Sequence, residues 1–225
     1  MAGGHTAPVV RVGDTVRRAA YPWTPLVQRL MAGLRSSGVG VVPEPFGLDE
    51  DGREVVEYVA GDCPVYPLPS WAWGDAALRQ VGAALRSVHD ASASLDLPLD
   101  GWRRAPIQPV EVVCHGDVAP YNTVWRDGRL VAFIDWDYAC PGPRGWDLGY
   151  AAYRFVPLTS PRNPDVPVTT REEQRRRLEV LCEAYGGADP DDVHRWALAR
   201  VDDLLENGRL HRTIYLDDAE WLRGG

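Results

Sequence analysis

The chain reads VCHGDVAPYNTVWRDGRLVAFIDWDYACPGPRGWDLGY from residue 113 to residue 150, and this stretch decides the fold. Asp117 follows a short apolar strand, and Asn122 comes five residues later. Two apolar runs then flank the turn Asp127-Gly128, which predicts a β-hairpin that brings Asp135 back beside Asn122. One loop and one hairpin therefore gather two carboxylates and one amide at a single edge.

This combination of side chains suits phosphoryl transfer. Mg²⁺ prefers oxygen ligands and keeps several waters, so one carboxylate and one amide are enough to hold it. A second carboxylate is needed to orient an acceptor hydroxyl and to accept its proton. The bound metal neutralises charge that develops on the transferred phosphoryl group.

The motif HGDxxxxN, followed by IDW and a DL pair, resembles the catalytic and metal-binding segments of aminoglycoside phosphotransferases and their choline kinase-like relatives. The resemblance implies that Asp117 is the catalytic base and that Asn122 and Asp135 bind Mg²⁺, with ATP or GTP as co-substrate. It also implies that Asp147 braces the catalytic loop. The implied fold is of the α+β class, a protein-kinase-like two-lobe fold with a small β-rich N-lobe and a mostly helical C-lobe.

Residues 1–60 are expected to form a short N-lobe on the nucleotide side. The pattern predicts a hairpin over 9–18, a helix over 24–35 that Thr24 caps, and two strands within 45–60. The segment VVEYVAGD, at 55–62, resembles the strand and hinge that meet the adenine, which makes Glu57 and Tyr58 candidate nucleotide contacts.

Residues 61–225 are expected to form the C-lobe with the catalytic loop, metal site and acceptor pocket. Periodicity predicts a helix over 75–90, a helix from Thr170 to Tyr185, and a last helix from Pro190 to Asn207. Residues 156–169 contain four prolines and no periodicity, which predicts a long surface connection.

The chain has no lysine, although kinases normally place one on the nucleotide phosphates. The corresponding strand position falls on Arg17 or Arg18, and only Gly3-Gly4 precede the first strand where a glycine-rich loop is usual. Side chains of adjacent strand residues leave opposite faces, so only one arginine faces the nucleotide; Arg17 best matches the lysine position. The helix over 24–35 carries no glutamate, so the usual ion pair is expected to be missing.

Composition narrows the classes of partner. The 225 residues carry a formal net charge of −8, which argues against a nucleic-acid binder. No apolar run is long enough for a membrane span, and the four cysteines lack metal-type spacing. We expect a cytoplasmic protein with a nucleotide and a small-molecule hydroxyl substrate as partners; the pattern does not address oligomeric state.

Three functions compete at this level. The first is a small-molecule kinase acting on an antibiotic, a sugar, an amino alcohol or another metabolite. The second is a degenerate relative that binds nucleotide or a small molecule without turnover, and the third, a metal-dependent hydrolase, lacks a nucleophile and a second metal cluster. Acidic residues near the end of the chain could bind a cationic acceptor, although a solvated helix face also explains them: Asp202, Asp203, Glu206, Asp217 and Asp218.

Overall fold

The computed structural model of the protein describes residues 9–207 and 212–224, so Gly3-Gly4 lie outside the described residues. In chain order the elements are β1 (Val10–Val12), β2 (Thr15–Ala19), α1 (Thr24–Ser36), β3 (Pro45–Leu48), β4 (Arg53–Glu57), α2 (Asp75–Ser92), β5 (Val112–Cys114), β6 (Thr123–Arg126), β7 (Arg129–Phe133), β8 (Cys140–Gly142), α3 (Arg144–Phe155), α4 (Arg171–Tyr185), α5 (Pro190–Asn207) and α6 (Arg212–Arg223).

The first part of the chain forms a small antiparallel sheet with strand order β1-β2-β4-β3. The predicted hairpin and strands are confirmed, and α1 packs against β3. The cap of α1 differs from the prediction, because the N-cap is Trp23 and the Thr24 hydroxyl accepts a hydrogen bond from the Tyr21 N–H. Proline still occupies the first turn, where its missing N–H costs no helical bond.

The rest of the chain is mostly helical. α2 packs on α4, and α5 packs on both α3 and α6. Helix α3 was not predicted, because Gly145 and Gly149 interrupt its apolar pattern and glycine is a poor helix former. Their role is tertiary: a Cβ would lie 2.1 Å from the Trp196 ring at Gly145 and 2.4 Å from the Trp196 carbonyl carbon at Gly149. Glycine is therefore required for α3 to approach α5.

The prediction that residues 156–169 run over the surface is wrong for the first half of that segment. Residues 156–160 are buried, and the Gln174 side chain donates to the carbonyl groups of Pro157 and Thr159 at 2.9 Å each. These bonds satisfy buried backbone oxygens, which allows an irregular segment to lie inside the protein.

The helix from Pro190 is not the last one. α6 follows it and buries Tyr215, Asp218, Ala219 and Leu222, which recur at helical spacing. The apolar periodicity that predicts a helix is weak here, because Asp218 lies within the buried stripe. Within the described residues, no helix has both the length and the apolar character to cross a membrane.

Candidate active site

The β6–β7 hairpin has the predicted geometry. Asp127 and Gly128 both have positive φ, 51° and 71°, as a tight hairpin turn requires. Thr123 pairs with Phe133, and the Ile134 N–H donates to the Asn122 carbonyl oxygen at 2.9 Å. Asn122 and Asp135 consequently line the same cleft.

The backbone of the loop that carries Asp117 is hydrogen-bonded to the side chain of Asp147. Its carboxylate accepts hydrogen bonds from the N–H groups of His115, at 2.6 Å, and Gly116, at 2.8 Å. Gly116 has a φ of 84°, and a Cβ there would lie 2.1 Å from the Tyr138 carbonyl oxygen. The tight approach of Tyr138 therefore demands glycine in the HGD motif.

Asp147 itself is fully buried and carries its own partners. Burial alone would raise the pKa of its carboxyl, but the hydrogen bond from His89 and nearby charge hold that pKa below its usual value. His89 in turn contacts the Tyr185 hydroxyl at 2.8 Å through its other ring nitrogen. This arrangement anchors the loop to α2, α3 and α4, as the resemblance implied for Asp147.

Asp117 and Asn122 are in direct contact. The Asn122 side-chain nitrogen donates to the Asp117 carboxylate at 2.8 Å and to the Asp117 carbonyl oxygen at 2.9 Å. With its nitrogen committed to Asp117, the amide directs its oxygen away from that residue. The Tyr121 hydroxyl lies 3.4 Å from the other carboxylate oxygen, and burial raises the pKa of Tyr121, so its hydroxyl stays protonated.

The cleft that Asn122 and Asp135 line, here called the sheet-side cleft, has a volume of about 430 Å³. Its walls are mainly apolar, with Val16 and Val56 from the sheet opposite Val124 from the hairpin. Glu57 and Tyr58, the candidate nucleotide contacts, also line it. Its shape and chemistry suit a flat, largely apolar ring with a polar group at one end.

The preference for Arg17 over Arg18 is wrong. Arg18 lines the sheet-side cleft and donates to Asp135 at 2.9 Å, whereas Arg17 contacts Asp49 at 3.3 Å. The two side chains leave opposite faces of β2, as expected, but the pairing of β2 with β4 places Arg18 opposite Glu54 and turns it toward the hairpin.

The usual ion pair with a helix glutamate is absent, as expected, because α1 carries no glutamate; a strand glutamate pairs with Arg18 instead. Arg18 Nε donates to Glu54 at 2.5 Å, and Gln28 of α1 donates to the other Glu54 oxygen at 2.8 Å. Glu54 is only 1% exposed and comes from strand β4 instead of the helix. The sequence did not indicate this pair, because the helix of the usual pair carries Gln28 and no glutamate, and Glu54 reaches Arg18 only through the pairing of β2 with β4.

Asp135 adopts the left-handed conformation, with φ 61° and ψ 64°, which is uncommon outside glycine. Its side chain is 46% exposed, and one of its oxygens accepts the bond from Arg18. Arg18 also donates to Asp137 at 2.8 Å. Burial raises the pKa of Asp137, and the opposing attraction of Arg18 does not cancel that rise.

Asp117 does not line the sheet-side cleft with Asn122 and Asp135; it lines a second cavity, which adjoins the first through the contact of Asp117 with Asn122. This second cavity has a volume of about 260 Å³ and is called the arginine–tyrosine cavity. Its lining includes Asp117, Tyr121, Tyr150, Arg104, Arg154 and Arg200.

The acidic residues near the end of the chain have other partners. Asp202 pairs with Arg223, Asp203 with Arg104, and Asp217 with Arg162. Asp218 is buried and accepts hydrogen bonds from Tyr153, Asn163 and the Ser160 N–H. Glu206 is exposed at the end of α5. Asp203 alone of the five lines the arginine–tyrosine cavity, so these residues do not form a cation site there.

Comparison with known proteins identifies sequences similar to this chain. The model of the phosphotransferase enzyme family, APH, matches residues 102–198. The trifolitoxin immunity protein of Rhizobium leguminosarum bv. trifolii is 35% identical over 197 residues, which cover 83% of this chain and 73% of that protein.

Two solved structures share the fold. A choline/ethanolamine kinase family protein from Mesorhizobium loti gives a TM-score of 0.61 at 18% identity, over 99% of this chain and 85% of that one. Amicoumacin kinase, solved with AMP-PNP and Ca²⁺, gives 0.61 at 11% identity, over 96% and 86%. The predicted fold class is confirmed: a kinase-like fold with a small sheet region and a mostly helical part.

Proposed function

Since the chain belongs to the phosphotransferase enzyme family, we propose that it transfers the γ-phosphoryl group of ATP, or GTP, to a hydroxyl group of a small molecule. The observation that carries the proposal is the contact of Asp117 with Asn122, where the sheet-side cleft and the arginine–tyrosine cavity meet. A nucleotide in one cavity and an acceptor in the other would meet at these two side chains.

In this proposal residues 1–60 form the nucleotide lobe and residues 61–225 supply the catalytic loop and acceptor pocket. The purine ring lies between Val16 and Val56 of the sheet and Val124 of the hairpin, next to Glu57 and Tyr58. Arg18 contacts the phosphates in place of a lysine, with Glu54 fixing its position.

The donor set fits Mg²⁺. Asn122 offers an amide oxygen and Asp135 an exposed carboxylate, and both are hard oxygen ligands on one wall of the cleft. When bound there, the ion supplies positive charge next to the phosphate oxygens. The left-handed backbone of Asp135 directs its carboxylate toward the cleft, which explains why a strained conformation is kept at this position.

Asp117 accepts the proton of the acceptor hydroxyl as the oxygen forms its bond to the γ-phosphorus. The bond from that phosphorus to the bridging oxygen breaks, and the nucleoside diphosphate leaves. Asn122 and Tyr121 hold the carboxylate of Asp117 in place through the bonds described above.

The alternative is a protein that binds nucleotide or a small molecule without turnover. The contact of Arg18 with Asp135 favours it, because a guanidinium group there competes with a metal ion for the same carboxylate.

A two-stage measurement separates the alternatives. Titration of the protein with ATP, with and without Mg²⁺, measures binding, and release of ADP across a panel of hydroxyl compounds measures transfer. Acceptor-dependent ADP release supports the kinase, whereas metal-dependent binding without release across the panel supports the binding protein. No nucleotide binding under either condition would falsify the kinase and the nucleotide-binding form of the alternative.

A further inference from the structure

The arginine–tyrosine cavity is lined by more positive than negative side chains, which does not suit a polycationic ligand. Three arginines line it, Arg104, Arg154 and Arg200, against two carboxylates, Asp117 and Asp203. Asp203 already accepts hydrogen bonds from both terminal nitrogens of Arg104, Nη1 and Nη2, and lies 3.7 Å from Arg200 Nη1. Asp117 faces Asn122, so its charge is directed to the reaction centre.

Arg200 is a buried guanidinium with spare hydrogen-bonding capacity. It is 5% exposed, stacks against the rings of Trp146 and Tyr150, and donates to the Gly116 carbonyl oxygen at 2.9 Å. Its Nε has no hydrogen-bond partner within the described part of the chain. A buried donor without a partner is costly, so Arg200 retains hydrogen-bonding capacity for a further partner.

Arg154 has hydroxyl groups as partners instead of a carboxylate. Its Nε donates to the Tyr150 hydroxyl at 3.1 Å and Nη2 reaches the Tyr215 hydroxyl at 3.4 Å, while its guanidinium lies over the ring of Tyr153. Among residues 9–207 and 212–224, no carboxylate forms an ion pair with it within 4.0 Å. The buried Asp218 interacts with the charge of Arg154 at longer range, but the hydrogen-bond partners of Arg154 are neutral hydroxyl groups. A half-buried cation with such partners is a favourable place for an anion.

A row of hydroxyl groups connects Arg154 to Asp117. The Tyr150 hydroxyl lies 3.1 Å from the Tyr121 hydroxyl, which lies 3.4 Å from Asp117. A ligand that spans this row meets a base at one end and a guanidinium at the other. Its middle contacts aromatic rings.

We propose that the acceptor of this phosphotransferase is a hydroxyl compound that carries a carboxylate, bound by Arg154, and not a polycationic aminoglycoside. The inference rests on the proposed function and assigns its substrate class. The planar guanidinium fork of Arg154 matches the two oxygens of a carboxylate, whereas an ammonium group in this cavity would face three arginines. The acceptor presents its hydroxyl to Asp117 at the other end of the row.

Two matched probes test the charge preference directly. Hydroxyphenylacetate and tyramine share a phenol ring and differ mainly in bearing a carboxylate or an ammonium group. Calorimetric titration of the full chain with each probe is expected to give at least about tenfold tighter binding of the carboxylate. Equal affinities, tighter binding of tyramine, or no binding of the carboxylate would overturn the proposal.

Substitutions of Arg154 then test whether this residue causes the preference for the carboxylate probe. Arg154→Gln is expected to remove it, and Arg79→Gln, which deletes a surface arginine paired with Glu183, is expected to leave it unchanged. Arg154→Lys keeps the charge without the planar fork and should keep only part of the preference. If Arg154→Gln unfolds at a lower temperature than the parent, Arg154→Lys is used in its place. An unchanged preference in a folded Arg154 variant contradicts the assignment.

Titration with Mg²⁺-ATP on the same samples separates this inference from the proposed function. Nucleotide binding with no carboxylate preference overturns the acceptor class alone. A carboxylate preference without nucleotide binding overturns the phosphotransferase and leaves an anion-binding cavity.

Discussion

The two cavities that adjoin at Asp117 and Asn122 are lined by side chains of different chemistry. The sheet-side cleft is lined mainly by apolar side chains of the sheet and the hairpin, with a few polar side chains such as Arg18, Glu57 and Asp135 among them. The arginine–tyrosine cavity is lined by long polar side chains that contribute charge and hydroxyl groups. Apolar walls and backbone accept one common ring, whereas the identity of a second ligand depends on individual side chains. We expect the cleft to be similar among members of the family, and the side chains of the cavity to determine which substrate binds.

The largest expected effect is on transfer, at the boundary between the cavities. Asp117→Asn should lower the rate of phosphoryl transfer by about 10²–10⁴-fold, because the amide cannot accept the hydroxyl proton. Mg²⁺-nucleotide affinity should stay near that of the parent, since the cleft is intact. Single-turnover assays and nucleotide titration measure the two quantities.

Asp127→Asn is the matched control for that variant. Asp127 lies in the hairpin turn with a positive φ that asparagine also adopts, and it is exposed. Transfer should be unchanged in this control. Equal rates in the parent and in Asp117→Asn would remove Asp117 from the role of base.

The second largest effect is expected at Asp147, which holds the loop that carries Asp117. Asp147→Asn keeps the size of the side chain but places an amide N–H against the backbone N–H groups of the catalytic loop. We expect a loss of about 2–4 kcal/mol in the free energy of unfolding at neutral pH. Denaturant unfolding measures it.

The sign of the pH dependence follows from the lowered pKa of Asp147. Its contribution to stability is fully present above the unfolded carboxyl pKa of about 3.9 and is lost as the pH falls through the lower folded value. The stability difference between parent and Asp147→Asn should therefore shrink only below about pH 4. A difference that stays constant to lower pH contradicts this assignment.

The third prediction probes the sheet-side cleft alone. Arg18→Ala should weaken nucleotide affinity by about 1–3 kcal/mol, the scale of a charge-assisted hydrogen bond. Arg18→Lys should recover most of the loss, because an ammonium group still balances Glu54. Binding of the carboxylate probe should be unaffected in both variants, since Arg18 does not line the arginine–tyrosine cavity. Undiminished nucleotide affinity in Arg18→Ala would mean that the sheet does not contact phosphates through this residue.

The smallest expected effect is on the opposite face of the same strand. Arg17→Ala removes a partly exposed ion pair with Asp49 and should change nucleotide affinity and stability by no more than about 0.5 kcal/mol. Nucleotide titration and thermal unfolding of this variant, beside Arg18→Ala, check the assignment of the two faces. A larger loss of affinity in Arg17→Ala than in Arg18→Ala would reverse it.

Local chemistry explains which parts of the fold were predictable. The turn Asp127-Gly128 specifies the β6–β7 hairpin through its left-handed backbone, and the hairpin carries Ile134 to Asn122. Hydrogen bonds with Gln80 and Val41 add to this local signal. The Thr170 cap likewise starts α4 through its own side chain, which accepts from the Glu173 N–H. Short-range signals of this kind depend only on neighbouring residues.

The sequence by itself therefore determined the loop-and-hairpin placement of Asp117 and Asn122 and the family that this motif marks. Only the tertiary structure decided which arginine faces the cleft, because the register of β2 on β4 sets it. It also supplied Glu54 as the partner of Arg18, and gathered Arg154 from α3 and Arg200 from α5 into one cavity. Contacts between elements distant in sequence arise from packing of whole surfaces, such as α3 on α5 through Gly145 and Gly149, and no local pattern encodes them.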